Sequence, residues 1–139
     1  PVVVKDKQTK KALLKEKSVA EILSIARKTD LALVGIGLLD RQGLLRQSGM
    51  MEEQDYTVLK KAGAVGAICG RCFDISGKPC ISDWDDRVIG LTLKELKRIK
   101  HKVGIAFGEE KLNGIVGALN GRYLDVLITD EDVAGRLLL

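Results

Sequence analysis

The chain has 139 residues, 45% of them apolar and 30% charged, enough for one domain with a core of its own. Aromatics make up only 4%, too few for the stacking platforms that hold single-stranded nucleic acid, and no apolar run approaches the roughly 18 residues that cross a bilayer. The net charge of +4 comes largely from lysines clustered at 5–17 and 94–102, which read as solvated helix faces and leave only a weak nucleic-acid footprint.

In chain order, Pro1–Val4 reads as a strand, then Gln8–Lys15 and Val19–Arg27 as helices. Ser18 and Glu21 form a capping box that opens the second helix. This helix pair lies between two strands, so it is expected to be a crossover and not a DNA-reading helix-turn-helix. Leu31–Ile36 is apolar throughout, the pattern of a parallel strand buried on both faces, and Gly35-Ile36-Gly37 ends it. After a loop, Glu53–Lys61 reads as a helix closed by Gly63.

Ala64–Phe73 reads as one glycine-interrupted strand, Asp74–Gly77 as a turn, Lys78–Ile81 as a returning hairpin partner and Arg87–Leu91 as a short strand. Thr92 and Glu95 form a second capping box, for a helix over Leu93–Ile99. Val103–Phe107 is a strand, Glu109–Leu119 a helix, Asp125–Ile128 a strand and Glu131–Leu138 a closing helix. Alternation of this kind implies a single α/β domain: a mostly parallel, Rossmann-like sheet with helical cover. Three cysteines and no signal peptide point to a reducing, cytoplasmic setting.

In such a fold, ligands bind beyond the carboxyl ends of the strands. Gly108-Glu-Glu-Lys111 is a strand-to-helix turn with a cation at a helix start, where free backbone N–H groups attract anions. Lys111 either pairs with Glu109 or Glu110 on the surface or faces a ligand. A lysine near a helix amino terminus costs a few tenths to roughly 1 kcal/mol, which tilts the reading toward a ligand. Gly35 and Gly37 either let the chain turn or present N–H groups to the same ligand. They complete no dinucleotide fingerprint, so no nucleotide cofactor is expected.

Arg71, inside an apolar strand, needs an anion or a carboxylate such as Asp74. Cys69, Cys72 and Cys80 have no fourth ligand nearby, so they read as buried small hydrophobes and no metal is expected. His101, at the amino-terminal edge of a strand, reads as a surface residue, and the run Asp83–Asp86 as a solvated loop with Trp84 packed beneath it. Thr129 and Asp130 either contact a sugar hydroxyl or cap the last helix.

Five ordered segments together resemble the SorC family of sugar-binding transcriptional regulators: Asp30–Gly37, Gly63–Asp74, Arg87–Leu91, Ile105–Lys111 and Leu127–Ala134. The resemblance implies an effector domain similar to ribose-phosphate isomerases, aminosugar-phosphate deaminases and CoA transferases. It implies binding of a phosphorylated sugar that alters how a homodimer or homotetramer holds DNA. Lys111, Gly108, Glu109, Gly35, Gly37, Gly70, Arg71 and Asp130 are the implied effector-binding residues, with no catalytic residue among them. Residues 1–139 are expected to be the carboxyl-terminal portion of that domain. The helix-turn-helix DNA-binding domain and the first βα unit, whose glycine–threonine loop also holds the phosphate, would lie elsewhere. Phe107 stands where the family usually has glycine, which would shrink the pocket or alter its specificity, and Cys72 stands where an aromatic is common. The competing expectation is a sugar-phosphate isomerase or deaminase, with Asp40, Asp74 and Asp130 as its candidate acid/base groups.

Overall fold

The structure is a computed structural model and describes residues 2–139. It begins with helices α1 (Lys7–Leu13) and α2 (Lys17–Lys28), then strands β1 (Leu31–Gly35) and β2 (Gly37–Leu38). Helices α3 (Leu44–Gln47) and α4 (Glu53–Lys61) follow, then strands β3 (Ala64–Ile68) and β4 (Arg71–Asp74). The last part holds α5 (Leu93–Arg98), β5 (His101–Ile105), a 3-10 turn Glu109–Lys111, α6 (Leu112–Asn120), β6 (Val126–Ile128) and α7 (Glu131–Leu138).

The strands form two three-stranded sheets. One is parallel, in the order β1-β5-β6, with Leu31 opposite His101 and Val103 opposite Val126. The other is antiparallel, in the order β2-β3-β4. The expected parallel sheet is therefore present, joined to a small antiparallel one. Among the described residues, no helix is long and apolar enough to cross a membrane.

Helical cover lies on one face of the parallel sheet. Ala32, Val34 and Leu127 point into a core built from Leu93 and Leu96 of α5, Ile115 and Ala118 of α6, and Val133 of α7. The side chains between them in sequence point the other way. Leu31, Leu33, Val126 and Ile128 are exposed, so β1 is not buried on both faces as its apolar run suggested. Strand periodicity puts neighbours on opposite faces, and among the described residues only one face is covered.

A second core, with Leu39, Met51, Leu59, Trp84 and Val88, lies against the antiparallel sheet. Trp84 is buried beneath the acidic loop, and its indole N–H donates to the Gly70 carbonyl at 2.7 Å.

Ala64–Phe73 is not one strand. Cys69 (φ 52) and Gly70 (φ 76) form a two-residue turn that places Ile68 opposite Arg71. Two successive positive φ angles are what a tight hairpin with right-twisted strands requires. As a result Cys69 is exposed at the turn, and only Cys72 and Cys80 are buried.

Val2–Val4, Lys78–Ile81 and Arg87–Leu91 do not form strands, and Pro1 lies outside the described residues. Each segment instead makes a single antiparallel bridge, Val3 to Val88 and Phe73 to Pro79. The helix over Leu93 opens with the expected box: Thr92 Oγ1 accepts the Glu95 N–H at 3.1 Å, and the Glu95 carboxylate accepts the Thr92 N–H at 2.8 Å. The box expected at Ser18 does not form, because α2 starts at Lys17 and places Ser18 inside the helix.

Candidate functional site

A cleft of about 710 Å³ opens at the carboxyl end of β1. Four pieces of chain line it: Gly35–Leu38, Gln42–Leu45, the hairpin residues Ala67, Cys69 and Gly70, and Glu110 with Lys111. Glycines bring these pieces together. A Cβ on Gly66 would lie 2.9 Å from the Gly114 Cα, so β3 and the first turn of α6 meet backbone to backbone. Bulkier residues at that contact would push the start of α6 off the sheet.

Gly108 takes φ +97 to swing the chain out of β5 and into the Glu109–Lys111 turn. Its N–H donates to Asp130 Oδ2 at 2.8 Å, while Asp130 Oδ1 accepts the Val133 N–H at 2.9 Å. These backbone donors, Val133 first and Gly108 next, hold the Asp130 carboxyl below the usual carboxylate range. Asp130 therefore caps α7 and tethers the Gly108 turn. Thr129 Oγ1 is buried and has no hydrogen-bond partner among the described residues.

Lys111 is half-buried in the cleft wall, and no ion pair among the described residues involves it. The surface pairing with Glu109 is not made, because Glu109 binds Arg136 at 2.9 Å. Gly35, Gly37, Gly70 and Lys111 are thus gathered around one cleft, with Gly108 forming the turn that carries Lys111.

Glu109 and Arg71 do not line the cleft. Arg71 is buried, with its guanidinium bound to the Asp85 carboxylate at 3.1 Å and the Asp85 carbonyl at 2.9 Å. Two longer bonds of 3.4 Å reach the carbonyls of Leu91 and Val88. The partner that Arg71 required is Asp85, not a ligand and not Asp74. Phe107 is exposed and does not line the cleft either, so it does not narrow it.

Gln42–Leu45, Ala67, Cys69 and Glu110 are cleft residues that the sequence did not single out. One signal was available for the first of these segments. Asp40 Oδ1 accepts the Gln42 N–H at 2.7 Å, and a Cβ on Gly43 would lie 2.3 Å from the Leu38 carbonyl oxygen. An Asp followed by a glycine three residues on is a turn signal.

Asp40, Asp74 and Asp130 are each occupied by backbone N–H groups: Gln42, then Ser76 and Lys78, then Gly108 and Val133. No two of them meet across the cleft. Among the described residues, no three of His, Cys, Asp or Glu cluster in a way that could hold a metal ion. Burial pushes the Cys72 thiol up to about 12, with Asp85 and Cys80 adding to the effect, so it is an inert core group.

The architecture is that of an α/β domain with a cleft at the carboxyl edge of its parallel strands, the place where open α/β sheets generally bind ligands. All of residues 1–139 match the family model described as "Putative sugar-binding domain", and the chain belongs to that family. It is 35% identical over 138 residues to the deoxyribonucleoside regulator of Bacillus subtilis, covering 99% of this chain and 44% of that protein. It is 30% identical to the sorbitol operon regulator of Klebsiella pneumoniae, again covering 99% of this chain and 44% of the relative.

Among solved structures, a DeoR family transcriptional regulator from Listeria monocytogenes superposes with a TM-score of 0.92 at 32% identity, covering 97% of this chain and 55% of that one. The full-length sorbitol operon regulator SorC from Klebsiella pneumoniae superposes at 0.90 with 29% identity, covering 100% and 45%. The chain therefore spans less than half the length of these two curated relatives.

Proposed function

We propose that this chain is the carboxyl-terminal portion of the effector-binding domain of a bacterial transcriptional regulator, and that its cleft takes a phosphorylated sugar. The observation that carries this reading is Lys111: a cation without a carboxylate partner among the described residues, in the cleft wall at the N-cap of α6. The dipole of that helix favours an anion in the same place. Gln42 and Glu110 offer hydrogen bonds for hydroxyls, and Leu38, Leu44 and Leu45 an apolar wall for a sugar's carbon face.

In the whole protein, the effector would bias two arrangements of a homodimer or homotetramer that hold DNA differently. It would do so only to the extent that it binds one arrangement more tightly. DNA itself would be held by a helix-turn-helix domain outside these residues. Binding without turnover is favoured over an isomerase or deaminase, since the three candidate carboxylates are all spent on holding backbone.

The test is a thermal-shift screen with a panel of phosphorylated sugars, in the native chain and in Lys111→Ala. A ligand at about 100 times its dissociation constant stabilises by roughly 2.7 kcal/mol. A shift with one sugar phosphate that disappears in Lys111→Ala, with the sugar recovered unchanged, is the expected result. An equal shift in the variant, or a chemically altered sugar, contradicts the reading.

A further inference from the structure

We propose that the amino-terminal edge of the parallel sheet, at the opposite end of the strands from the cleft, docks on the phosphate backbone of duplex DNA. It adds sequence-independent contacts to the hold of the helix-turn-helix domain proposed above. The inference rests on the reading of this chain as part of a transcriptional regulator. It stands whether or not the cleft takes a sugar phosphate.

Five cations collect on this edge: Lys28 at the end of α2, Lys97 and Arg98 at the end of α5, Lys100 before β5, and Arg122 in the turn after α6. All five are exposed, and among the described residues none of them enters an ion pair. Short contacts hold their elements side by side. Leu31 of β1 stands opposite His101 of β5, and the His101 N–H donates to the Asp30 carbonyl at 2.9 Å. Arg27 binds Glu95 at 2.7 Å and so ties α2 to α5. The Lys97 ammonium lies 5.1 Å from the centre of the Tyr123 ring, next to Arg122 in the chain. Lys102 binds Asp125 at 2.7 Å, which joins the start of β5 to the residue before β6.

The carboxylates of the edge do not balance it. Glu95 and Asp125 are taken by Arg27 and Lys102, which leaves Asp30 against the five free cations. That excess equals the formal net charge of the whole chain, +4, so the rest of the molecule is neutral in sum. The lysines of the first two helices show the contrast. Lys7 binds Asp86 at 3.0 Å, Lys17 reaches Glu21 at 3.8 Å, and Lys10 donates to the Asp85 carbonyl at 3.0 Å. Helix dipoles do not absorb the excess either. A helix carboxyl end carries about half a negative charge, so the ends of α2, α5 and α6 offset roughly one and a half charges and leave the edge positive.

The side chains are those of backbone contact. Lys and Arg meet phosphates as charges, and such contacts position a protein on a duplex without reading its sequence. Residues 27–31, 97–102 and 121–125 contain no Asn or Gln, and Tyr123 is buried. Nothing there offers an amide to a base edge or an aromatic face to an unpaired base, so a duplex fits better than a single strand. Two strand spacings and one helix layer span about 20 Å, and a duplex carries one negative charge per about 1.7 Å of axis. The patch therefore faces more phosphates than it has cations. An acidic protein segment is the poorer fit, because an extended chain spaces even consecutive carboxylates about 3.3 Å apart and turns alternate ones away.

The experiment titrates the native 139-residue chain with a fluorescent duplex of mixed sequence over a series of salt concentrations. The expected result is binding whose logarithm falls against log salt with a slope of about −3 to −4, or roughly 12-fold for each doubling of salt. Lys100→Gln combined with Arg122→Gln should flatten that slope by about 2 and weaken binding at least roughly 10-fold at about 50 mM salt. Lys11→Gln combined with Lys15→Gln removes the same charge from the α1 region, beyond the reach of screened charges, and should leave affinity within about twofold. All four side chains are exposed, so both double variants should melt as the native chain does. Polyglutamate of matching total charge should compete poorly with the duplex. No binding at the lowest salt, or equal weakening by the two double variants, overturns the proposal. So does polyglutamate that competes as well as unlabelled duplex, which would identify an acidic protein segment as the partner. None of these outcomes bears on sugar-phosphate binding in the cleft, which the thermal-shift screen tests separately.

Discussion

The two sheets of this molecule are finished to different degrees. Around the antiparallel sheet, polar demands are met internally: Arg71 by Asp85, the Trp84 indole by Gly70, Asp74 by its own turn. Among the described residues, the parallel sheet is packed on one face and bare on the other, and its carboxyl edge carries a cleft whose lysine forms no ion pair. Structural polar groups are those whose partners lie in the chain. A charged group left without one, at the end where α/β folds hold ligands, is a candidate for function. The same residue type in the same kind of segment can fall on either side of that line. Arg71 and Lys111 were both read as anion anchors, and only Lys111 is free to be one.

The sharpest way to break the comparison is Arg71→Ala. It would leave the Asp85 carboxylate, only 20% exposed, without its counter-charge. Removing one partner of a buried pair costs roughly 3–5 kcal/mol, so urea denaturation should show a large loss of stability. A loss below about 1 kcal/mol would mean that the hairpin does not depend on the pair.

Two substitutions on opposite faces of the parallel sheet come next. Ile115→Ala, at a fully buried position, should cost about 2–5 kcal/mol, whereas Leu33→Ala in the isolated chain should stay within about 0.5 kcal/mol. Comparable losses at both positions, measured in the same denaturant series, would show that the outer face is already covered in solution.

The smallest effect concerns acid. The folded-state value of Asp130 is depressed, so its contribution is present above the ordinary carboxylate value and is lost as pH falls through the depressed one. Melting temperature should therefore fall on acidification below about pH 4, and Asp130→Asn should flatten that part of the profile. An unchanged profile in Asp130→Asn would mean that the tether from α7 to the Gly108 turn contributes nothing measurable.

Much of the fold was legible because local signals and tertiary packing agreed. Glu53–Lys61 and Glu131–Leu138 are helices at the residues their periodicity marks, and the Thr92–Glu95 box opens α5. Legibility stopped where a contact far along the chain decides the outcome. Nothing local says that Cys69 takes a positive φ and splits Ala64–Phe73 into a hairpin. The partner of Arg71 is fourteen residues on, in a loop whose acidic run looked merely solvated. An all-apolar strand such as Leu31–Ile36 reads the same whether both faces are covered or one. In the cleft, Lys111 and the glycines could be named because cation and turn chemistry are local. Gln42–Leu45 carried only the Asp40–Gly43 turn signal, which marks a bend in the chain and not the cleft it lines.

The most direct measurement is calorimetric titration of the chain with one phosphorylated sugar and the same sugar without its phosphate, repeated with Lys111→Ala. A charge-assisted hydrogen bond contributes about 1.5–3 kcal/mol, so the phosphorylated form should bind at least roughly 10-fold more tightly. That preference should vanish in Lys111→Ala while the variant melts as the native chain does. Equal affinity for the two sugars, or a preference that survives in the variant, would contradict the assignment of Lys111 as the anion anchor.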